Sequence, residues 1–169
     1  RDGATRRPGR RRRRARTAAR PAVRIVIVAI GKIREPFFRE AAEHYLARIR
    51  RHVRADVVEI DPRRRPALVA EAVRAAVPTR AVVAALDPAG EALSSRGFAD
   101  RVASWQRSGR PAVAFLVGGP DGLPAGTAEG ADARLSMGPL TLPHRLARVV
   151  LLEQIYRALT ILRGEPYDK

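Results

Sequence analysis

A chain of 169 residues with 46% apolar side chains is long enough for one folded domain with a proper core. It contains no cysteine, which excludes a disulfide framework and a thiolate metal site, and its three histidines are too scattered to build a metal site by local spacing. The formal net charge of +16 points to a polyanionic partner.

That charge is uneven. Residues 1–20 hold ten arginines against one aspartate, and the remainder is still basic. With almost no apolar content this stretch cannot fold alone, so residues 1–22 read as a basic, disordered N-terminal extension and 23–169 as a single domain. Such a tail either adds salt-sensitive affinity for RNA or has no role. A secretion signal fits poorly, because Arg24 interrupts the apolar run AVRIVIVAIG and no small-residue cleavage site follows. No stretch approaches a membrane span, and a cytoplasmic protein without a membrane or metal partner is the expectation.

From Arg24 to Ile30 a β-branched run ended by Gly31 predicts a strand. Pro36 suits a first helical turn, and Phe38, Ala41, Ala42, Tyr45 and Ile49 recur at three- and four-residue spacing, which predicts an amphipathic helix to about Arg51. His44 and His52 fall on or beside it and read as structural. Asp56–Ile60 is a short strand ended by Asp61-Pro62, and Arg63 to Arg65 form either a solvated face or a binding patch. Pro66–Val77 is a second helix. Ala81–Leu86 is a buried strand that stops at Asp87-Pro88-Ala89-Gly90, and Ser94–Ser108 a third helix with Phe98, Val102 and Trp105 on its core face. This alternation predicts an α/β fold, a mostly parallel sheet with helices on both faces.

The chain is most informative from Val113 to Arg148. The apolar run Ala112–Val117 stops at Gly118-Gly119-Pro120-Asp121-Gly122, and a second short strand, Ala133–Met137, ends in Gly138-Pro139. Leu140-Thr141-Leu142-Pro143-His144 then leads into a helix from about His144 to Leu162. Two glycine-broken loops at strand ends beside a helix start make a crevice at the carboxyl edge of the sheet, where α/β folds bind ligands. Neither a P-loop nor a dinucleotide fingerprint is present, so the loops offer main-chain groups to a ligand of mixed polarity; GGPDG alone reads equally well as a turn. The last helix is apolar nearly all the way round, which calls for burial on several sides and predicts a homodimer interface. Its Glu153 and Arg157 are spaced to pair.

GGPDG, the following strand, LTLPH and a helix carrying Arg148-Val149 and Glu153-Gln154-Ile155-Tyr156-Arg157-Ala158 together resemble the RlmH family, SPOUT-class methyltransferases of bacterial ribosomal RNA. RIVIVAIGK at 24–32, Ala85-Leu86-Asp87 and Gly164-Glu165-Pro166-Tyr167 extend the resemblance over about residues 23–169. It implies a C-terminal deep trefoil knot, where spacing alone would suggest an open sheet. It also implies S-adenosylmethionine bound by Leu86, Gly118, Met137, Gly138, Pro139, Leu140, Thr141 and Leu142. The implied reaction is methylation of N3 of a pseudouridine in 23S ribosomal RNA, on assembled ribosomes. Arg148, Tyr167 and Asp168 are the implied catalytic residues, with His144 and Lys169 as further donors; Arg148 reads equally as a tie holding the knot, and His144 more readily as a helix cap. Where the family tail commonly has histidine after Pro-Tyr, this chain has Asp168. The alternatives are a SPOUT methyltransferase acting on another RNA, such as tRNA, and a noncatalytic ribosome-associated or RNA-binding protein retaining the fold.

Overall fold

The computed structural model describes residues 23–167. The N-terminal extension, Asp168 and Lys169 therefore lie outside the described residues. The elements run β1 (Arg24–Ile30), α1 (Pro36–Arg50), β2 (Ala55–Ile60), α2 (Pro66–Ala76), β3 (Val82–Ala92), α3 (Ser95–Arg107), β4 (Ala112–Val117), β5 (Ala133–Ser136) and α4 (His144–Arg163). All strand pairings are parallel, in the order β2-β1-β4-β3-β5. The predicted α/β class and parallel sheet are thus present.

Strand periodicity decides which helix packs where. Along β1, Ile25, Ile27 and Ala29 face a core shared with Ile49 of α1, Trp105 of α3 and Leu151, Leu152, Ile155 and Leu159 of α4. The alternate residues Val26, Val28 and Ile30 face Val69 and Val73 of α2. Three helices therefore cover one face and one covers the other, which is completed by Ala128 and Leu123 from the segment after β4. β4, central and buried along its whole length, is apolar throughout for the same reason. Trp105 is core packing as expected, its ring 5.9 Å from that of Phe115.

Local signals place the helix ends. Proline stands in the first turn of α1 and α2, Ser94 caps α3 by accepting from the Gly97 N–H at 3.1 Å, and Gly164 ends α4 in the left-handed region at φ 68°.

β3 departs from expectation. Its first part stops near Leu86 as predicted, but the chain loops out over Asp87–Gly90 and rejoins the sheet, so that both Leu86 and Glu91 pair with Leu135 of β5. Pro88 has no N–H to give the ladder, and a bulge accommodates it. Gly90 is required there: a Cβ would stand 2.6 Å from the main chain of Arg134 and Leu135. Helix α4 lies between α1 and α3, which cover much of the apolar surface that the sequence alone assigns to a second subunit. Leu146, Val149 and Val150 stay half-buried and Leu162 is exposed.

Candidate active site

Parallel strands bring the carboxyl ends of β3, β4 and β5 to one edge, and α4 starts beside them. β4 runs into GGPDG, a turn closed by reciprocal bonds between Gly119 and Gly122, N to O at 3.1 and 3.0 Å. The glycines are demanded by contact. A Cβ on Gly118 would sit 2.6 Å from the carbonyl carbon of Gly122, and one on Gly119 would sit 2.9 Å from the Ile30 side chain. On the facing side, Gly138 takes φ 114°, and the Ser136 hydroxyl bonds both its N–H (3.2 Å) and its carbonyl (3.1 Å).

The two loops enclose a cavity of about 200 Å³. Leu86, Gly118 and the continuous run Met137-Gly138-Pro139-Leu140-Thr141-Leu142 all line it, so the structure gathers all eight residues named for the cofactor. Val117, Leu135 and Ala147 add apolar wall; Asp87, Ser136 and His144 add polar groups that the sequence reading did not assign to the cofactor. Asp87 sits in the bulge of β3, where the Ala89 N–H and Arg134 hold its carboxyl below the usual range. Its sequence signals were the Asp-Pro-Ala-Gly punctuation and its place in the Ala85-Leu86-Asp87 stretch.

His144 is the first residue of α4 and makes no side-chain cap bond; Pro143 occupies the cap position. The imidazole instead borders the cavity, and burial, reinforced by the charges of Arg145 and Arg148, lowers its pKa against the opposing effect of Glu35. The next residue, Arg145, pairs with Glu35 ahead of α1. One turn on from His144, Arg148 is buried, 4% exposed, and does not line this cavity. Its guanidinium donates to Glu59 Oε1 at the end of β2 (2.8 Å) and to the Gly31 carbonyl after β1 (3.3 Å). It borders a separate hollow of about 470 Å³ with Lys32, Arg39, Glu43 and Glu59.

Tyr167 lies elsewhere. Its hydroxyl donates to Glu153 Oε1 at 3.2 Å, its ring packs edge-on against Tyr156 at 4.6 Å, and the Arg157 guanidinium covers it at 4.9 Å. Burial and the neighbouring Tyr45 and Glu153 raise its pKa well above the usual phenol range. The Glu153 and Arg157 pair is present at 2.7 Å, with Gln154 donating to the other carboxylate oxygen. Glu153 is nine residues from His144, about 13 Å along a helix. Tyr167 and the cavity are therefore not brought together within one chain.

His52 is held between the Tyr156 ring (5.9 Å) and Glu165 (3.7 Å), consistent with packing. Among the described residues no three His, Cys, Asp or Glu side chains gather as for a metal, and no helix is long and apolar enough to cross a membrane.

The arrangement is a partly apolar cleft with main-chain donors and acceptors at the switch edge of a parallel sheet, and comparison with known proteins matches it. Residues 23–168 match the family described as "Predicted SPOUT methyltransferase". The chain is 48% identical over 148 residues to the Ribosomal RNA large subunit methyltransferase H of Sorangium cellulosum (strain So ce56), covering 86% of this chain and 99% of that one. It is 43% identical to the protein of the same name in Dinoroseobacter shibae, covering 87% and 99%, and 42% identical to that of Anaeromyxobacter sp. (strain Fw109-5), covering 87% and 100%. With the fold, the cleft and these relatives in agreement, this chain belongs to the SPOUT methyltransferase family.

Proposed function

We propose that this protein transfers a methyl group from S-adenosylmethionine to N3 of a pseudouridine in the 23S ribosomal RNA of the large subunit, acting as a homodimer on assembled cytoplasmic ribosomes. The carrying observation is the single cavity that gathers Leu86, Gly118 and the whole 137–142 loop. The ribosomal substrate rests on the names of the relatives. The residues fit the cofactor's chemistry: a flat adenine needs apolar walls and main-chain hydrogen bonds, and Leu86, Leu140 and Leu142 with the bare main chain at Gly118 and Gly138 provide both. The cavity of about 200 Å³ is open to solvent on the side of Leu140, which is 79% exposed.

When bound, the cofactor supplies an electrophilic methyl group. The chain's own residues orient it and handle the proton, because an imide N–H must lose its proton or have its developing charge stabilised as it is methylated. His144, whose burial and cationic neighbours lower its pKa, stands at the cavity edge, within reach of the proton to be moved. Arg148 positions the start of α4 by tying it to β1 and β2. Tyr167 and Asp168 then serve the cavity of the second copy, since Tyr167 is remote from its own. The half-buried Leu146, Val149 and Val150 on α4 are the apolar surface left for that second copy. The family's deep knot is part of the same reading. It is supported by the path from β4 out to β5 at the sheet edge and back to α4 beneath β1.

The test is transfer of labelled methyl from S-adenosylmethionine to ribosomes lacking the modification, with the natural protein and Asp168→His. Label on a large-subunit pseudouridine is expected from the natural protein. Label appearing only with the variant would place the chemistry in the tail; label confined to tRNA would refute the ribosomal substrate.

A further inference from the structure

The edge of the sheet opposite the cavity carries charge that the proposed chemistry does not use. Because every strand is parallel, the amino ends of all five lie there together, as do the carboxyl ends of α1, α3 and α4. Arg50 and Arg51 end α1, Arg54 leads into β2, Arg107 ends α3 and Arg163 ends α4. One cation per helix end is expected from the helix dipole. The cluster around residues 50–55 exceeds that.

Of the nearby carboxylates, Asp56 is taken by Arg24 at 2.8 Å and Asp132 by Arg110 at 2.7 Å, while Glu165 stands 3.7 Å from His52. Among the described residues, Arg50 and Arg163 donate only to neutral carbonyls, those of Ala55 (2.9 Å) and His52 (3.3 Å). Arg51 and Arg54 are exposed and have no carboxylate partner among the described residues. A hollow of about 500 Å³ opens here, lined by Arg24, Arg50, Val53, Arg54, Ala55 and Asp56.

We propose that this basic edge is a second RNA-contacting surface, which grips phosphates of the ribosomal RNA at the end of the fold opposite the methyl-transfer cavity. Seven residues of β1 at about 3.3 Å each separate the two by roughly 20 Å. Three arginines around an open, mainly polar hollow match phosphate rather than an apolar protein face. The surface contributes affinity and leaves the chemical step alone. It rests on the ribosomal reading above for the identity of its RNA.

The test uses the full chain with Arg51→Ala/Arg54→Ala, two exposed substitutions that break no ion pair. Direct binding to ribosomes is measured across a salt series, beside methyl-transfer kinetics. Removing two phosphate contacts should lower the slope of log affinity against log salt by about 1.5 and raise KM for ribosomes about tenfold, with kcat within about twofold. Arg51→Lys/Arg54→Lys should keep most of the slope. An unchanged slope and KM, or a loss of kcat at unchanged slope, would overturn the proposal. If the slope falls but neither protein methylates ribosomes, the basic surface stands and the ribosomal methyltransferase reading fails.

Discussion

Arg148→Ala separates a tether from a catalytic group. The guanidinium is buried, donates to Glu59 and to the Gly31 carbonyl, and joins α4 to the ends of β1 and β2. Removing one partner of a buried ion pair costs about 3–5 kcal/mol. The Glu59 side chain is 32% exposed and regains some water, which brings the expected loss to about 2–3 kcal/mol, including the packing of the arginine stem. In a protein of this size that corresponds to a melting temperature lower by roughly 5–10 °C. Urea unfolding should show an earlier midpoint at unchanged m-value. Crossing the variant with Glu59→Gln should give a coupling of about 1 kcal/mol or more. Because His144 and Ala147 on the same first turns border the cavity, binding of S-adenosylmethionine should weaken in parallel. An Arg148→Ala protein that unfolds within about 0.5 kcal/mol of the parent, binds cofactor normally and yet fails to methylate would refute the tether and assign the guanidinium to the reaction.

Gly118→Ala forces a methyl group to within 2.6 Å of the Gly122 main chain, so the turn must open; a loss of about 2–3 kcal/mol in thermal unfolding and weaker cofactor binding by calorimetry are expected. Gly90→Ala pushes on the main chain of β5 in the same way and should likewise weaken cofactor binding, since Leu135 to Met137 line the cavity. For His144, the folded pKa lies below the ordinary 6.5, so on acidification the unfolded chain takes up the proton first. Stability attributable to this group is complete above pH 6.5 and falls below it until the folded pKa is passed; an NMR titration midpoint at or above 6.5 would contradict the site geometry. Tyr167→Phe removes one donor to Glu153 while Arg157 keeps that carboxylate paired, so the loss should be about 1 kcal/mol by urea unfolding.

The loops that build the cavity were legible because their reasons are local. A glycine that must take φ 114°, an apolar run that can only be a buried strand and a proline in a first helical turn each announce themselves within a few residues. The crevice at the carboxyl edge followed from the order of those elements. The return of β3 after Asp87–Gly90 was not legible, because Glu91 and Ala92 re-enter the sheet only by pairing with Leu135 and Ser136, more than forty residues away.

The same division runs through the side chains. Glu153 and Arg157 could be paired from their spacing alone, since a helix brings residues four apart onto one face. Arg148 could be named but not placed: its partners are 89 and 117 residues distant, and only the parallel sheet sets the ends of β1 and β2 beneath α4. The helix that reads as apolar all round is flanked by two helices of its own chain, a fact carried by packing. The sequence by itself determined the α/β class, the helices, the strands up to the return of β3 and the glycine-broken loops at the carboxyl edge, because backbone conformation and periodicity are local properties. Only the tertiary structure decided that three helices share one face, that Tyr167 stands apart from its own cavity and that arginines without a carboxylate partner among the described residues gather at the far edge, because each depends on contacts between segments distant in the chain.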